Sequence, residues 1–371
     1  TVNDASVIFN VVFNVIGQKG ASTPIEFGDD PTAREVSDGE ANVLSVVYND
    51  GSLKILDEVQ IAGYIKTQKG EALSQVEVVL SGADEQSTTT DEFGWYRFDV
   101  IPGLEYTISP VFGGSAPADA GVSTLDLVVM QWHILGMKYL MSNYDLIASD
   151  VNQSGSLTTM DVAQTRAVIL HVDESFGGRG SIEFINHEYA GAPDIFDYQS
   201  DLAIIPSTSL NDLNFTVVKL GDAGRSWSVG QSGGRKQGLE ELEINIEPGL
   251  VTGNAVNIPL KAVDFQGIIG LQFTLEWDPA VYQFKRLVDQ ELHFDANLNM
   301  INDGRLTLLW STENLEGVSL GDQSLLSAIE FRQLSDADPN INITSGITPA
   351  LAFNAALETK SLKAKSVLTE E

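Results

Sequence analysis

Short apolar segments separated by turn residues recur along nearly the whole chain, and this pattern restricts the fold more than any other feature. The segments are rich in β-branched and aromatic residues, and Gly, Asn, Asp or Pro stand between them. This spacing predicts a mainly β protein with tandem β-sandwich domains. The predicted strands cover residues 5–17, 60–67, 74–82, 95–100, 242–247, 254–263, 270–277, 305–311 and 325–334.

The region from about residue 122 to residue 173 departs from the strand pattern. Its apolar residues recur at the three- and four-residue spacing of helices, which predicts two short helices between all-β segments. We expect Thr124 and Thr159 to be their N-caps. The predicted apolar faces consist of Leu125, Val128, Val129, Trp132 and Leu135 in the first helix and Met160, Ala163, Ala167, Leu170 and Val172 in the second.

The stretch "SDVNQSGSLTTMD" leads into the second predicted helix and has the spacing of a twelve-residue calcium loop. Such a loop binds calcium through side-chain oxygens at positions 1, 3, 5 and 12 and a backbone carbonyl at position 7, with glycine at position 6. The predicted ligands are Asp150, Asn152, Ser154, Ser156 (through its carbonyl) and Asp161, and Gly155 is the sixth-position glycine. The alternative is a polar turn that only caps the helix.

A second, weaker loop of the same length precedes the first predicted helix. Asp126 stands at position 12 and Asp119 at position 5, whereas positions 1 and 3 hold Ser115 and Pro117, which are poor ligands. A calcium ion there would depend on Asp119, Asp126 and carbonyls such as that of Gly121.

Charge and cysteine content narrow the functional classes. The 371 residues include 52 acidic and 21 basic side chains, for a net charge of −31, which repels nucleic acid and anionic lipid. The chain has no cysteine, so disulfides and thiolate metal sites are excluded. No apolar run reaches the roughly 18 residues that span a bilayer. We therefore expect no nucleic-acid partner and no direct membrane insertion.

The two ends of the sequence resemble each other. The segment that begins "SVIFNVVFNVIG" is similar in pattern to the one that begins "SAIEFRQLSDAD", but only the second follows about 80 residues of further strands. We therefore interpret residues 1–57 as the back half of a sandwich. Either the missing half was cut from a longer chain, or another subunit supplies it.

Several segments resemble known extracellular modules. "GVSTLDLVVMQWHILG" and "ASDVNQSGSLTTMDVAQTRAVILHV" resemble a dockerin of the kind found in large Bacteroidota surface proteins, and "NFTVVKLGDAGRSW" resembles its trailing strand. "TTTDEFGWYRF" and "IPGLEYTI" are similar to a carboxypeptidase-regulatory-like (Cna-B-like) sandwich, and "GIIGLQFTLEWDPAVYQFKRL" to a cohesin. The resulting domains are 1–57 (C-terminal half of a cohesin-like sandwich), 58–112 (regulatory-like sandwich), 113–225 (dockerin-like calcium-binding helical pair with trailing strand) and 238–371 (cohesin-like sandwich).

No motif of an enzyme is found. The sequence lacks Gly-x-Ser-x-Gly, His-Glu-x-x-His and a phosphate-binding loop, and its four histidines have no catalytic motif around them. Trp132, Trp277 and Trp310 lie on apolar-periodic elements, which favours core packing. Trp95 and Trp227 remain candidates for a sugar-stacking surface.

These features together predict a non-enzymatic, structural or adhesive segment of an extracellular cell-surface protein, stabilised by Ca²⁺. The resemblance implies export through a type IX-like pathway. We expect it to self-assemble into a filament or other appendage, as a homo-oligomer or with neighbouring modules of the same chain. The alternatives are a heterotypic cohesin–dockerin-type binding module and a carbohydrate-binding adhesin.

Overall fold

The computed structural model describes residues 7, 9–18, 20–114, 116–140, 142–191, 195–230, 239–247 and 249–366. Strands make up 36% of the chain and helices 10%, so the mainly β prediction is confirmed. None of the helices in these ranges is long and apolar enough to cross a membrane.

The first described residues form little regular structure. Strands β1 (Ser22–Ile25) and β2 (Gly51–Lys54) pair antiparallel. The strand predicted over 5–17 is wrong for residues 7 and 9–17, which form no strand and leave large apolar side chains such as Val12 and Ile16 exposed; residues 5, 6 and 8 lie outside the described ranges. A β-branched segment becomes a strand only where a neighbouring strand takes its backbone hydrogen bonds, and these residues have none.

Two four-stranded sheets pack against each other to form the first sandwich. One has the order β6-β3-β10-β8 and the other β5-β4-β7-β9. Their inward residues, including Ile61, Leu80, Tyr96 and Phe215, share one core. The strands are β3 (Val59–Thr67), β4 (Glu77–Gly82), β5 (Gln86–Thr89), β6 (Trp95–Val100), β7 (Tyr106–Val111), β8 (Ile182–Asn186), β9 (Leu202–Ile204) and β10 (Phe215–Lys219), with a 3₁₀ helix at His187–Gly191.

The first sandwich contains strands from both sides of the predicted domain boundary at 112/113. β10 pairs in parallel with β3, with Phe215 opposite Ile65, and β9 pairs with β7. The helical region is therefore inserted between β7 and β8 of this sandwich. We call residues 116–140 and 142–181 the helical insert.

The helical insert has three helices, α1 (Thr124–Ile134), α2 (Asn143–Ser149) and α3 (Thr159–Ile169). The sequence predicts α1 and α3 but not α2, whose seven residues are too few to give a periodic apolar pattern. The N-caps are Ser123 and Thr158, one residue before the predicted ones, because each forms a capping box with the aspartate three residues later.

The second sandwich is one continuous sheet that folds back on itself, in the order β15-β18-β13-β11-β21-β20-β14-β17-β16. Inward residues from both halves, such as Ile244 and Ile258 on one side and Phe273 and Leu308 on the other, share one core. The strands are β11 (Glu241–Ile246), β12 (Leu250–Thr252), β13 (Ala255–Val263), β14 (Ile268–Glu276), β15 (Tyr282–Asp289), β16 (Asp295–Asn297), β17 (Arg305–Ser311), β18 (Leu325–Gln333), β19 (Asn342–Thr344), β20 (Leu351–Asn354) and β21 (Thr359–Ser366), with a 3₁₀ helix at Ile301–Asp303.

The C-terminal segment that resembles residues 1–57 forms β18 to β21. There β18 pairs with β13 and β15, β20 with β14, and β21 with β11. The described part of residues 7–57 has only its own two-stranded sheet. The interpretation of residues 1–57 as half a sandwich stays a prediction, and the exposed apolar side chains agree with a segment that lacks such partners.

Helix α1 is buried on two sides, which the predicted apolar faces did not anticipate. Leu125 and Trp132 pack with Ile269 and Phe353 of the second sandwich. Leu127 packs with α3 on another side. The predicted faces were wrong for Leu135 in the first helix and for Met160, Ala163 and Val172 in the second, because all four residues are exposed; Leu135 and Val172 also lie beyond the ends of α1 and α3. Apolar periodicity cannot separate the faces of a helix that is covered on more than one side.

We expect Trp132→Ala to lower the free energy of unfolding by about 3–5 kcal/mol, because it leaves a cavity between α1 and the second sandwich. Leu135→Ala, on the same predicted face but exposed, should change it by less than about 0.5 kcal/mol. Denaturant unfolding followed by tryptophan fluorescence and circular dichroism measures both. Equal effects of the two substitutions would contradict the packing described for α1.

Candidate functional site

The loop between α2 and α3 is the one for which the sequence predicts calcium most strongly. Asp150 ends α2 and is buried, and its carboxylate accepts hydrogen bonds from the backbone N–H groups of Ser154 (2.9 Å) and Gly155 (2.8 Å). Gly155 has a φ of 80°, a left-handed conformation that glycine adopts without a Cβ penalty. The chain therefore turns sharply at the sixth position of the loop.

The oxygen atoms predicted as ligands converge in this loop. Ser154 Oγ lies 3.1 Å from the carbonyl oxygen of Ser156 and 3.3 Å from Asp150 Oδ1. Asn152 Oδ1 accepts a hydrogen bond from the Ser154 N–H at 2.9 Å. Oxygen ligands that surround calcium at about 2.3–2.6 Å lie about 3 Å from one another. All the atoms of this set are oxygens, the type of ligand that calcium binds.

Asp161 links the loop to the first turn of α3. Its Oδ2 accepts hydrogen bonds from the N–H and hydroxyl of Thr158 at 2.8 and 2.9 Å, and its Oδ1 accepts one from the Asn152 N–H at 3.3 Å. In the described part of the chain, no three His, Asp or Glu side chains are grouped to hold a metal ion. A cation in this loop would therefore also depend on amide, hydroxyl and carbonyl oxygens.

In the first candidate loop, Asp126 is surrounded by protein donors. Its Oδ2 accepts hydrogen bonds from the N–H and hydroxyl of Ser123 at 2.8 and 3.0 Å, and its Oδ1 accepts one from the Gly224 N–H at 2.7 Å. The side chain is buried. Both carboxylate oxygens thus have partners without a metal ion.

The other predicted ligands of this loop also face protein groups. The carbonyl oxygen of Gly121 accepts a hydrogen bond from the Ser226 hydroxyl. Asp119 Oδ2 lies 3.7 Å from His171 Nε2. Ser115, at the first position, lies outside the described residues. The structure therefore brings these residues against the segment after β10 and against the end of α3.

Three ionisable groups are buried together beside the first loop. Burial and the nearby charge of Asp222 raise the pKa of Asp126 to about 8, while its hydrogen bonds from Gly224 and Ser123 oppose the shift. Burial raises the pKa of Asp222 to about 6, opposed mainly by hydrogen bonds from the N–H groups of Trp227 and Ser226. Burial lowers the pKa of Lys219 to about 8, opposed by Asp222, Asp119 and Asp126. The charges of Lys219 and Asp222 thus offset part of each other's desolvation cost, whereas the charge of Asp222 adds to the cost of ionising Asp126.

The sequence reasoning missed Lys219, Asp222 and Ser226 as parts of this loop. They lie in "KLGDAGRSW", which follows β10 and is about 100 residues away from the first loop along the chain. The pairing of β10 with β3 and β8 brings this segment back to the insert. No local pattern in the sequence signals that contact.

The N-terminus of α1 is held by the second sandwich. The N–H of Thr124 is one of the first in the helix and has no hydrogen-bond partner within it. It donates to Gln272 Oε1 on β14 at 2.6 Å, and the Thr124 hydroxyl donates to the same oxygen at 2.9 Å. Gln272 is completely buried. At Gly270 on the same strand, a Cβ atom would lie 2.6 Å from Thr124 Cγ2, so only glycine permits this approach.

The C-terminus of α3 is held in the same way. The hydroxyl of Thr348 donates to the carbonyl oxygen of Ile169 at 2.7 Å. The amide of Asn297 donates to the carbonyls of Leu170 at 2.8 Å and His171 at 3.0 Å. Thr348 and Asn297 are almost completely buried. Side chains of the second sandwich thus satisfy helix carbonyls that would otherwise lack partners.

The opposite side of the insert packs on the first sandwich. Ile147 and Ala148 of α2 contact Ile185 and Val218 of β8 and β10. The side chain of Arg225 forms a bidentate pair with buried Asp145 of α2, with both distances at 2.6 Å. The insert is therefore in contact with both sandwiches.

Four of the five tryptophans are buried. Trp132, Trp277 and Trp310 are core residues, as predicted. Trp227, which the sequence left open for sugar stacking, is only 6% exposed, so it offers no free ring face. Trp95 is partly exposed and lies 4.8 Å from the ring of Tyr64.

No protein-family model matches the sequence, and no curated protein matches it. Solved structures to which the chain is similar include cohesin modules. One is the seventh ScaB type I cohesin of Pseudobacteroides cellulosolvens, at 14% identity and a TM-score of 0.27, over 34% of this chain and 86% of that one. Another is a type I cohesin–dockerin complex of Clostridium thermocellum, at 16% identity and a TM-score of 0.27, over 34% and 98%. Similarity at these scores supports no statement about partners.

We expect Asp126→Ala to lower the free energy of unfolding by about 2–4 kcal/mol in excess chelator, because three donors, two of them buried, lose their acceptor. The exposed Asp173→Ala should have an effect within about 0.5 kcal/mol. Urea unfolding in chelator measures both. If Asp126→Ala were neutral without metal, the donors around this carboxylate would not have the structural role assigned to them.

Proposed function

We propose that this chain is a non-enzymatic structural segment of an extracellular cell-surface protein, in which a calcium-stabilised helical insert holds two β-sandwiches as one rigid unit. In this proposal the insert is dockerin-like and the second sandwich cohesin-like, and they contact each other within one polypeptide. Adhesion or assembly is then a property of the whole unit, since the helices and loops serve as joints between sandwiches.

The observation that carries the proposal is the burial of both helix ends against the second sandwich. Gln272, Thr348 and Asn297 are buried polar residues, and each of them forms a hydrogen bond to the helical insert. A buried polar side chain costs free energy unless its partner is always present. Surfaces that separate and rejoin seldom carry such groups, so a permanent contact is favoured.

Calcium fits the loop of residues 150–161, and its role in the proposal is structural. Asp150, Asn152, Ser154, the Ser156 carbonyl and Asp161 would hold it. An ion bound to oxygens from both ends of the loop would fix α2 relative to α3. Because a preformed site exists only in the folded chain, calcium binding would add directly to folding stability.

Heterotypic binding is the second candidate function. It needs a free face on the second sandwich, or a free face on the helices. The sheet face formed by β16, β17, β14 and β20 contacts α1 and α3 of the same chain through Asn297, Leu309, Gln272 and Phe353. A foreign module at this face would have to displace these helices, so heterotypic binding through this face is less well supported.

Assembly into a larger structure is the further part of the proposal. The residues before β1 expose large side chains, with Phe9 68%, Val12 93% and Ile16 97% accessible. An apolar segment with unpaired backbone groups can add as a strand to a sheet edge of another chain or module. This supports the N-terminal segment as the assembly surface.

We expect millimolar calcium to raise the unfolding temperature of the wild-type chain by roughly 5 °C or more relative to excess chelator. Asp150→Asn/Asp161→Asn should remove most of this difference, and the exposed Asp173→Asn should leave it intact. Scanning calorimetry measures the temperatures. Equal unfolding temperatures in both buffers, with no heat in a calcium titration, would contradict the calcium part of the proposal.

Light scattering on the same samples measures the molecular mass of the particles. A monomer under all conditions would contradict the self-assembly part of the proposal.

We expect Gly270→Val to separate the second sandwich from the insert, because its side chain would overlap Thr124. The radius of gyration from small-angle X-ray scattering should rise while the strand content by circular dichroism stays the same. Gly321→Val, at an exposed turn of the same sandwich, is the matched control. An unchanged scattering curve for a folded Gly270→Val protein would contradict the rigid unit.

A further inference from the structure

The end of β10 places a lysine in the first loop, where a metal ion was predicted. The Lys219 ammonium donates to the carbonyl oxygens of Ala118 at 2.7 Å and Leu220 at 3.2 Å. Only 3% of this residue is exposed. A buried lysine is costly unless its ammonium is hydrogen-bonded and near negative charge, so this position needs an explanation.

Two further donors from the same segment reach atoms that a calcium loop would offer to the metal. Gly224 N–H donates to Asp126, at position 12 of the loop, and the Ser226 hydroxyl donates to the carbonyl of Gly121, at position 7. Asp222 holds this segment in place, because its carboxylate accepts hydrogen bonds from the N–H groups of Ser226 (2.6 Å) and Trp227 (3.0 Å).

The charges around Lys219 are those of a cation site. Asp119, Asp126 and Asp222 all lie close enough to favour its charged form against the cost of burial. The ammonium also lies 5.9 Å from the centre of the Phe176 ring, a favourable position for a cation. A divalent ion placed in the same space would be repelled by this charge at short range in a medium of low dielectric constant.

We propose that residues 219–227 replace the metal ion of the first loop. The Lys219 ammonium supplies the positive charge, and the Gly224 amide and Ser226 hydroxyl occupy acceptors at Asp126 and Gly121. The first loop is thereby locked to β10 of the first sandwich without a divalent cation. Any calcium that the chain binds belongs to the loop of residues 150–161. This inference holds whether or not that second loop binds calcium.

The first test removes the internal donors in excess chelator. Lys219→Met keeps the length of the side chain but not its charge, and we expect it to lower the unfolding temperature by roughly 5 °C or more. Ser226→Ala should lower it by a smaller amount. Lys285→Met, at an exposed lysine of β15, is the matched control. If Lys219→Met matched this control, the proposal would be overturned; if Lys219→Met did not fold, Ser226→Ala against the control would decide in the same way.

The second test counts divalent ions by titrating calcium into the Asp150→Ala/Asp161→Ala chain. We expect no binding, since the first loop has its own donors. Calcium binding that disappears on adding Asp126→Asn would overturn the proposal. Absence of calcium binding to the wild-type chain would contradict the calcium part of the proposed function, but it would leave the replacement of the metal ion in the first loop standing.

Discussion

The need of buried helix ends for hydrogen-bond partners is the constraint on which this arrangement depends. The first N–H groups and last carbonyls of a helix have no partner within it, and water cannot reach them in a packed interface. Here the side-chain oxygen of Gln272 accepts a hydrogen bond from the N–H of Thr124, while Thr348 and Asn297 donate hydrogen bonds to the last carbonyls of α3. These hydrogen bonds fix the position and the direction of α1 and α3 against the second sandwich. Apolar contacts such as that between Trp132 and Phe353 form around this arrangement.

In our proposals the two loops meet the same demand for positive charge by different means. The loop of residues 150–161 gathers side-chain and carbonyl oxygens, and the donors to its two aspartates belong to the loop itself, a composition suited to a calcium ion. The first loop receives the ammonium of Lys219, the amide of Gly224 and the hydroxyl of Ser226 from β10 and the turn after it. In a chain with a net charge of −31, a buried lysine supplies a cation that is part of the chain itself. The structure of the loop of residues 150–161 would then depend on calcium, and the structure of the first loop would not.

Burial of β14 on both faces connects the fold to the proposed function. Along this strand Leu271, Phe273 and Leu275 face the core of the second sandwich, while Gly270 and Gln272 meet the insert. An antiparallel sheet usually has one solvated face, and a strand covered on both sides becomes almost continuously apolar. The run "IIGLQFTL" carries that pattern. A face that the chain's own helices cover suits a permanent joint better than a site for transient partners.

The sequence by itself determined the mainly β class, the positions of eight strands (β3, β4, β6, β11, β13, β14, β17 and β18), the helices α1 and α3, and the oxygen-rich loop from Asp150 to Asp161, because these depend on local periodicity and spacing. Only the tertiary structure decided that β10 completes the first sandwich, that Leu135 and Met160 lie in solvent, and that Lys219 lies in the first loop. Residues 7 and 9–18 have the composition of a strand but not its structure, since a strand exists only with a neighbour. Such contacts join residues far apart in the chain, and their hydrogen bonds and burial leave no local pattern from which they could be predicted.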